Sequence, residues 1–173
     1  YGPKGVGLLY VREGVQITPL ILGGGQEFRM RGGTENPALI VGFAKALELT
    51  MKDSKQEAAR IGALRDSLLA ELLKIPGITL NGSAEKRLEN NINIHTPGLS
   101  GETLVMRLDI EGLATSSGSA CSSGKTEASH VLLAMGQSPK EAGESLRLTL
   151  GRGTTQEEIE TALSLLTKSL NRV

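Results

Sequence analysis

The sequence predicts an α/β fold in which helices pack on a small mixed or antiparallel sheet. Three features point to it. Apolar residues recur at helical spacing in several stretches, short runs between them alternate apolar with polar residues, and glycine or proline clusters punctuate the joins. A chain of 173 residues is long enough to bury the core of one ordinary domain.

Residues 6–11 form a short apolar run between Gly2-Pro3-Lys4-Gly5 and Arg12-Glu13-Gly14, which suits a buried strand. Residues 17–22 read as a second strand, confined to an edge or an irregular extension by Pro19, which has no N–H for a ladder. Gly23-Gly24-Gly25 then breaks regular structure, and residues 29–34 continue as a polar loop. Asn36 followed by Pro37 opens a helix bearing Ile40, Ala44, Leu47 and Met51. A second amphipathic stretch carries Ile61, Leu64, Leu68 and Leu72 on one stripe and stops at Pro76-Gly77. These leucines are core rather than a partner-binding face.

Beyond that turn the pattern alternates. Ile78-Thr79-Leu80 and Ile92-Asn93-Ile94 read as half-buried strands. Ser100 caps a helix through Leu104 and Leu108, and Leu113-Ala114-Thr115 leads as a strand into a serine- and glycine-rich loop. Ser129 caps a short helix through Leu133 that stops at Gly136. Leu146, Leu148 and Leu150 alternate with Arg147 and Thr149 as a strand, and Thr155-Gln156-Glu157-Glu158 is a capping box for a last helix.

Composition excludes some functions. Lysine plus arginine equals aspartate plus glutamate at 19 each, so no bulk field favours nucleic acid or an anionic membrane. Aromatic residues make up 2%, which removes the stacking platforms of a single-strand binder. A single cysteine forms no internal disulfide, so a reducing, cytoplasmic compartment is expected. No stretch reads as a membrane span or a signal peptide. The chain begins at Tyr1 and runs almost at once into an apolar segment, so a fragment of a longer protein is expected.

The cysteine is the most informative residue. Cys121 lies in Ser116-Ser117-Gly118-Ser119-Ala120-Cys121-Ser122-Ser123-Gly124, where no large side chain can build a core. Free cysteine is usually buried, but these neighbours place it on a reachable loop. Composition leaves two readings open, a nucleophilic thiolate or a surface thiol without a role, since only Lys125 is a nearby cation that could lower its pKa. His130 could pair with it but more often packs or bonds a neighbour, and His95 reads as structural. Two histidines and one cysteine so far apart make no zinc site. Gly23-Gly24-Gly25 and Arg31-Gly32-Gly33-Thr34-Glu35 could offer N–H groups and a hydroxyl to a phosphate just before a helix. Arg147 lies opposite the three leucines of its strand. It is either a solvated charge or a forked donor for a carboxylate.

Taken in order, these segments resemble the cysteine desulfurases of the NifS/IscS type, pyridoxal-phosphate (PLP) enzymes of the aspartate-aminotransferase fold (fold type I). The matching pieces are Gly2-Pro3-Lys4-Gly5-Val6-Gly7, Gly23-Gly24-Gly25-Gln26-Glu27 and Arg31-Gly32-Gly33-Thr34-Glu35-Asn36. They continue with Ser116-Ser117-Gly118-Ser119-Ala120-Cys121, Ser129-His130-Val131-Leu132 and Leu146-Arg147-Leu148-Thr149-Leu150-Gly151-Arg152. The resemblance implies that residues 1–36 are a remnant of the large cofactor-binding domain. Residues 37–173 would be the C-terminal small domain, with a mobile cysteine loop over about 114–128.

The resemblance also assigns roles. Cys121 matches the thiolate that takes sulfur from L-cysteine, leaving a protein persulfide and releasing alanine. Arg147 matches the residue that holds the substrate carboxylate, and Thr34 matches a hydroxyl that reaches the PLP phosphate of the other subunit of a homodimer. Sulfur-acceptor proteins, such as an iron–sulfur scaffold, are the implied partners. Ala128 stands where the family often has proline. The family's cofactor-bearing lysine would lie upstream of Tyr1, and Lys4 does not match it, so the 173 residues alone are expected to be inactive and to hold no covalently bound PLP. Two alternatives are a class V aminotransferase relative and a free-standing persulfide carrier or scaffold-binding domain.

Overall fold

The computed structural model describes residues 1–118 and 128–170, and within it the chain divides into two compact units, Tyr1–Ser54 and Lys55–Val173. The division falls inside one long helix, α1 (Pro37–Leu72).

The first unit consists of loops and the N-terminal part of α1. Neither apolar run expected as a strand is one: residues 6–11 and 17–22 carry no strand pairing. Leu8 and Leu9 are 72% and 76% exposed. A strand satisfies its backbone through a neighbouring strand, and among the described residues neither run has one, the Ile21 carbonyl meeting only the Gly32 N–H of a loop. The two stretches read as separate helical segments, with Ile40 to Met51 in one and Ile61 to Leu72 in the other, are instead the continuous α1. Asn36 caps it as expected, its Oδ1 accepting the Leu39 N–H at 3.1 Å.

The second unit holds the sheet and the core. Strands β1 (Thr79–Leu80), β2 (Asn91–His95) and β3 (Ser145–Thr149) form an antiparallel sheet in that order. Helices α2 (Gly101–Ile110), α3 (His130–Ala134), α4 (Pro139–Gly143) and α5 (Gln156–Leu170) complete it. This is the expected α/β architecture, with helices on a small antiparallel sheet. Register decides what each face carries. Ile92 pairs with Leu148 and Ile94 with Leu146, so four apolar side chains share one face. They join Leu68 and Leu72 of α1, Leu104 and Leu108 of α2, and Ile159 and Leu166 of α5 in one core cluster. Each buried leucine or isoleucine stabilises by about 1.5–3 kcal/mol relative to exposure.

The capping box expected at the start of α5 is present in both directions. Thr155 Oγ1 accepts the Glu158 N–H at 3.2 Å, and Glu158 Oε2 accepts the Thr155 N–H at 2.9 Å. Ser100 and Ser129 occupy N-cap positions without a side-chain capping bond. Helix α4 was not foreseen, although Ser138-Pro139-Lys140-Glu141 carries its signature, a complete capping box with proline at its start. Its Glu141 carboxyl is held below its ordinary pKa of 4.5, chiefly by the Ser138 hydroxyl and then by the Ser138 N–H.

Candidate active site

Alternation along β2 and β3 places a second set of residues on the sheet face opposite the core. Asn93 pairs with Arg147 and His95 with Ser145. Asn81, just past β1, donates through Nδ2 to Asn93 Oδ1 at 2.7 Å and to Ser145 Oγ at 3.0 Å. Gln137 Nε2 donates to Asn81 Oδ1 at 2.5 Å, and Ser145 Oγ donates to the Glu141 carbonyl at 2.8 Å. This network ties β1, β2, β3 and α4 together beneath the polar face. Sequence reasoning missed it, because nothing in the pattern distinguishes Asn81 from a turn residue.

Arg147 stands on this face as the sequence expects, half-buried on β3. Its guanidinium has no hydrogen-bond or ion-pair partner among the described residues, which leaves a forked donor open to a carboxylate. Its backbone is engaged. The Arg147 N–H donates to the Ser116 carbonyl at 2.7 Å, and the Ser116 N–H donates to the Arg147 carbonyl at 3.1 Å. The segment expected to enter the cysteine loop as a strand, Leu113-Ala114-Thr115, is therefore not one, and the pairing is the single bridge at Ser116. Thr115 Oγ1 is buried beside it with no partner among the described residues.

Cys121 and the expected mobile loop around it lie mostly outside the described residues, which resume at Ala128. His130 is exposed on the first turn of α3. His95 closes β2, with Nε2 buried 3.4 Å from Glu144 Oε2. No cluster of candidate metal ligands exists among the described residues, nor does any described helix have the length and apolarity to cross a membrane.

Thr34 belongs to the first unit, exposed between Gly33 and the start of α1. The loop before it is pinched at its base, where the Gly32 N–H donates to the Ile21 carbonyl at 2.9 Å. A Cβ on Gly32 would lie 2.8 Å from the Gly23 nitrogen, so the approach requires glycine at position 32. Between them Glu27, Phe28 and Arg29 form a left-handed turn at φ 48°, 55° and 65°. Such backbone costs about 1–2 kcal/mol per non-glycine residue. Gln26 steadies the turn, its Oε1 accepting the Gly33 N–H at 3.3 Å. An exposed hydroxyl, the Arg31 guanidinium and the capped helix start are groups of the kind that can donate to a phosphate.

Comparison with known proteins adds an independent line. The family model described as aminotransferase class-V matches residues 1–162. The chain is 49% identical over 173 residues to a protein named cysteine desulfurase IscS 1 from Archaeoglobus fulgidus, covering all of this chain and 45% of that relative. It is 45% identical over 174 residues to a cysteine desulfurase IscS from Dictyoglomus turgidum, covering 44% of it. Among solved structures, a NifS-like protein superposes with a TM-score of 0.87 at 34% identity, covering 99% of this chain and 44% of that one. A NifS-like protein from Rickettsia africae gives 0.80 at 32% identity, over 90% of this chain and 40% of that one. The chain thus spans less than half the length of these relatives.

Proposed function

This chain belongs to the aminotransferase class-V family, and from that premise we propose that it is the C-terminal part of a PLP-dependent cysteine desulfurase. The parent would convert L-cysteine to L-alanine and a persulfide on Cys121, as the names of the relatives suggest for those proteins. Residues 1–36 would belong to the cofactor-binding domain and residues 37–173 to the small domain. A homodimer, a sulfur-acceptor protein such as an iron–sulfur scaffold, and a cytoplasmic location complete the reading. The observation that carries it is the two-bond bridge between Ser116 and Arg147. It roots the cysteine-bearing segment on the residue proposed to hold the substrate.

When bound, PLP supplies an electron sink for the substrate's α-carbon. The Thr34 loop fits only its phosphate end, with a hydroxyl and a cation and no group for the ring. Arg147 pairs its guanidinium with the substrate carboxylate, and the fork geometry fixes the orientation of the amino acid. The Cys121 thiolate attacks the substrate sulfur. A sulfur–sulfur bond forms as the carbon–sulfur bond breaks, and the electron pair left on carbon takes a proton to give alanine. Cys121 must be deprotonated for this attack, and the ordinary thiol pKa of about 8.5 means that the site has to lower it.

None of the chain's lysines follows a histidine, so the family's His-Lys pair has no match here and the 173 residues alone would show no turnover. The test is a steady-state assay of alanine formation by the full-length protein. Arg147→Lys should raise KM for L-cysteine by about tenfold or more, because a point charge replaces a bidentate fork. An unchanged KM would remove Arg147 from the substrate site. Alanine formation that survives Cys121→Ser would remove Cys121 from the reaction, whereas a protein that forms no alanine or sulfide from L-cysteine would favour the aminotransferase alternative, since transamination leaves the carbon–sulfur bond intact.

A further inference from the structure

The N-terminal turn of α2 sits in a notch that admits only glycine. Gly101 is buried, and a Cβ built there would overlap the Ser145 carbonyl oxygen and lie 3.0 Å from Ser117 Cβ. Contacts under 3.0 Å do not occur at a real Cβ, and one of these is to backbone, which cannot rotate away. The turn before α2 is itself latched to Glu144, the residue that precedes β3. Thr96 donates through its N–H to the Glu144 carbonyl at 2.7 Å and through Oγ1 to the same oxygen at 3.0 Å. The Leu99 N–H donates back to the Thr96 carbonyl at 3.0 Å. Helix α2 therefore has little freedom to retreat.

Three things meet at this notch: the first residue of α2, the start of β3, and Ser117, one residue after the Ser116 bridge to Arg147. The two sides of the bridge are not equally secured. Arg147 is held in β3, whose other edge pairs with β2 from Asn91 to His95. Ser116 and Ser117 lie outside any strand, and the bridge is their backbone pairing to the sheet. Room for Ser117 exists because Gly101 has no side chain.

The geometry points to Gly101 as a positioning residue for sulfur transfer. By leaving space for Ser117 it keeps Ser116 in its bridge, and so holds the foot of the Cys121 segment against the strand that carries Arg147. This inference rests on the roles proposed above for Cys121 and Arg147. Gly101→Ala presses on both the Ser145 carbonyl and Ser117; β3 is held from its far edge by β2 and the foot by a single bridge, so the foot should yield first and the arginine least. The loss should fall on kcat, by about tenfold or more, with KM for L-cysteine within about threefold of wild type. A purely structural defect would behave otherwise, lowering the folded fraction and leaving kcat per folded molecule unchanged.

Amide hydrogen exchange on this chain supplies a readout that needs no activity. In Gly101→Ala the Ser116 and Arg147 amides should lose about tenfold or more of their protection, as in a local opening. The Leu150 N–H, bonded to the Asn90 carbonyl at 2.9 Å, and the Asn81 N–H, bonded to the Asn93 carbonyl at 2.8 Å, should hold theirs. Ser116→Pro is the second variant: it deletes one bridge donor without adding an atom at the notch and should lower kcat in the same direction. Uniform loss of protection at all four amides, a protected bridge, or normal kcat with an open bridge would each overturn the inference. Cys121→Ser separates it from the functional reading. Turnover that survives that change rejects the role of Cys121, whereas turnover abolished by it but untouched by Gly101→Ala rejects the positioning role alone.

Discussion

Two apolar segments of this chain have opposite fates. Residues 6–11 and residues 145–150 are both short runs rich in leucine or valine, and both read as strands. The later run pairs with β2, and Leu146, Leu148 and Leu150 are buried. The earlier one stays unpaired with Leu8, Leu9 and Tyr10 exposed. The contrast extends to whole units: the buried hydrophobic residues begin at Ile61, and in Tyr1–Ser54 only Gly32 is buried. Apolar patterning states what a segment would do beside a partner. It does not supply the partner.

The largest effect should come from cutting into the self-sufficient side. Leu72→Ala or Ile94→Ala removes a fully buried side chain and should cost about 2–5 kcal/mol in denaturant unfolding. Leu8→Ala should stay within about 0.5 kcal/mol. Equal losses at the two sites would break the contrast between the units.

Next comes the polar face of the sheet. Asn81→Ala strips partners from Asn93, Ser145 and Gln137 at once. It should destabilise by about 1–3 kcal/mol in the same experiment, the cost of orphaned buried polar groups.

A smaller, local effect should separate two glycines of the first unit. Gly32→Ala meets the Gly23 backbone, whereas Gly7 has nothing within 4 Å of its would-be Cβ. Proteolysis should therefore speed up at residues 23–33 in the first variant only, and equal rates would contradict the pinched loop.

The smallest effect is a pH dependence. Glu141 has a folded-state pKa below its ordinary 4.5, so its contribution is complete above that value and is lost as pH falls through the lower folded one. Glu57 shares that sign, lowered first by its hydrogen bond to Arg60. Acid unfolding of Glu141→Gln should be shallower than that of wild type below pH 4.5, and identical slopes would reject the capping-box origin.

The same contrast explains what could be read from the sequence. Elements whose cause is local were legible: the Asn36 cap, the Thr155–Glu158 capping box, and the leucine alternation that aims Arg147 away from the core. The α/β class followed from those. Helix α4 was legible too but overlooked, since Ser138 and Glu141 form the same box. So was the continuity of α1, since residues 52–60 between the two stretches hold no proline or glycine to break it. Two other features depend on distant segments and leave no local trace. One is Arg60, whose guanidinium reaches the carbonyls of Thr154 and Arg152 at 2.7 and 2.9 Å. The other is the bridge from Ser116 to Arg147, which the motifs of either segment do not announce.

In the proposed reaction the Cys121 thiol is the group that receives sulfur. Its direct measurement is the mass of the Cys121 peptide after one turnover of the full-length protein with L-cysteine. A gain of about 32 Da, one sulfur atom, that a reductant removes is the predicted result. Alanine release with an unmodified Cys121 peptide would contradict it.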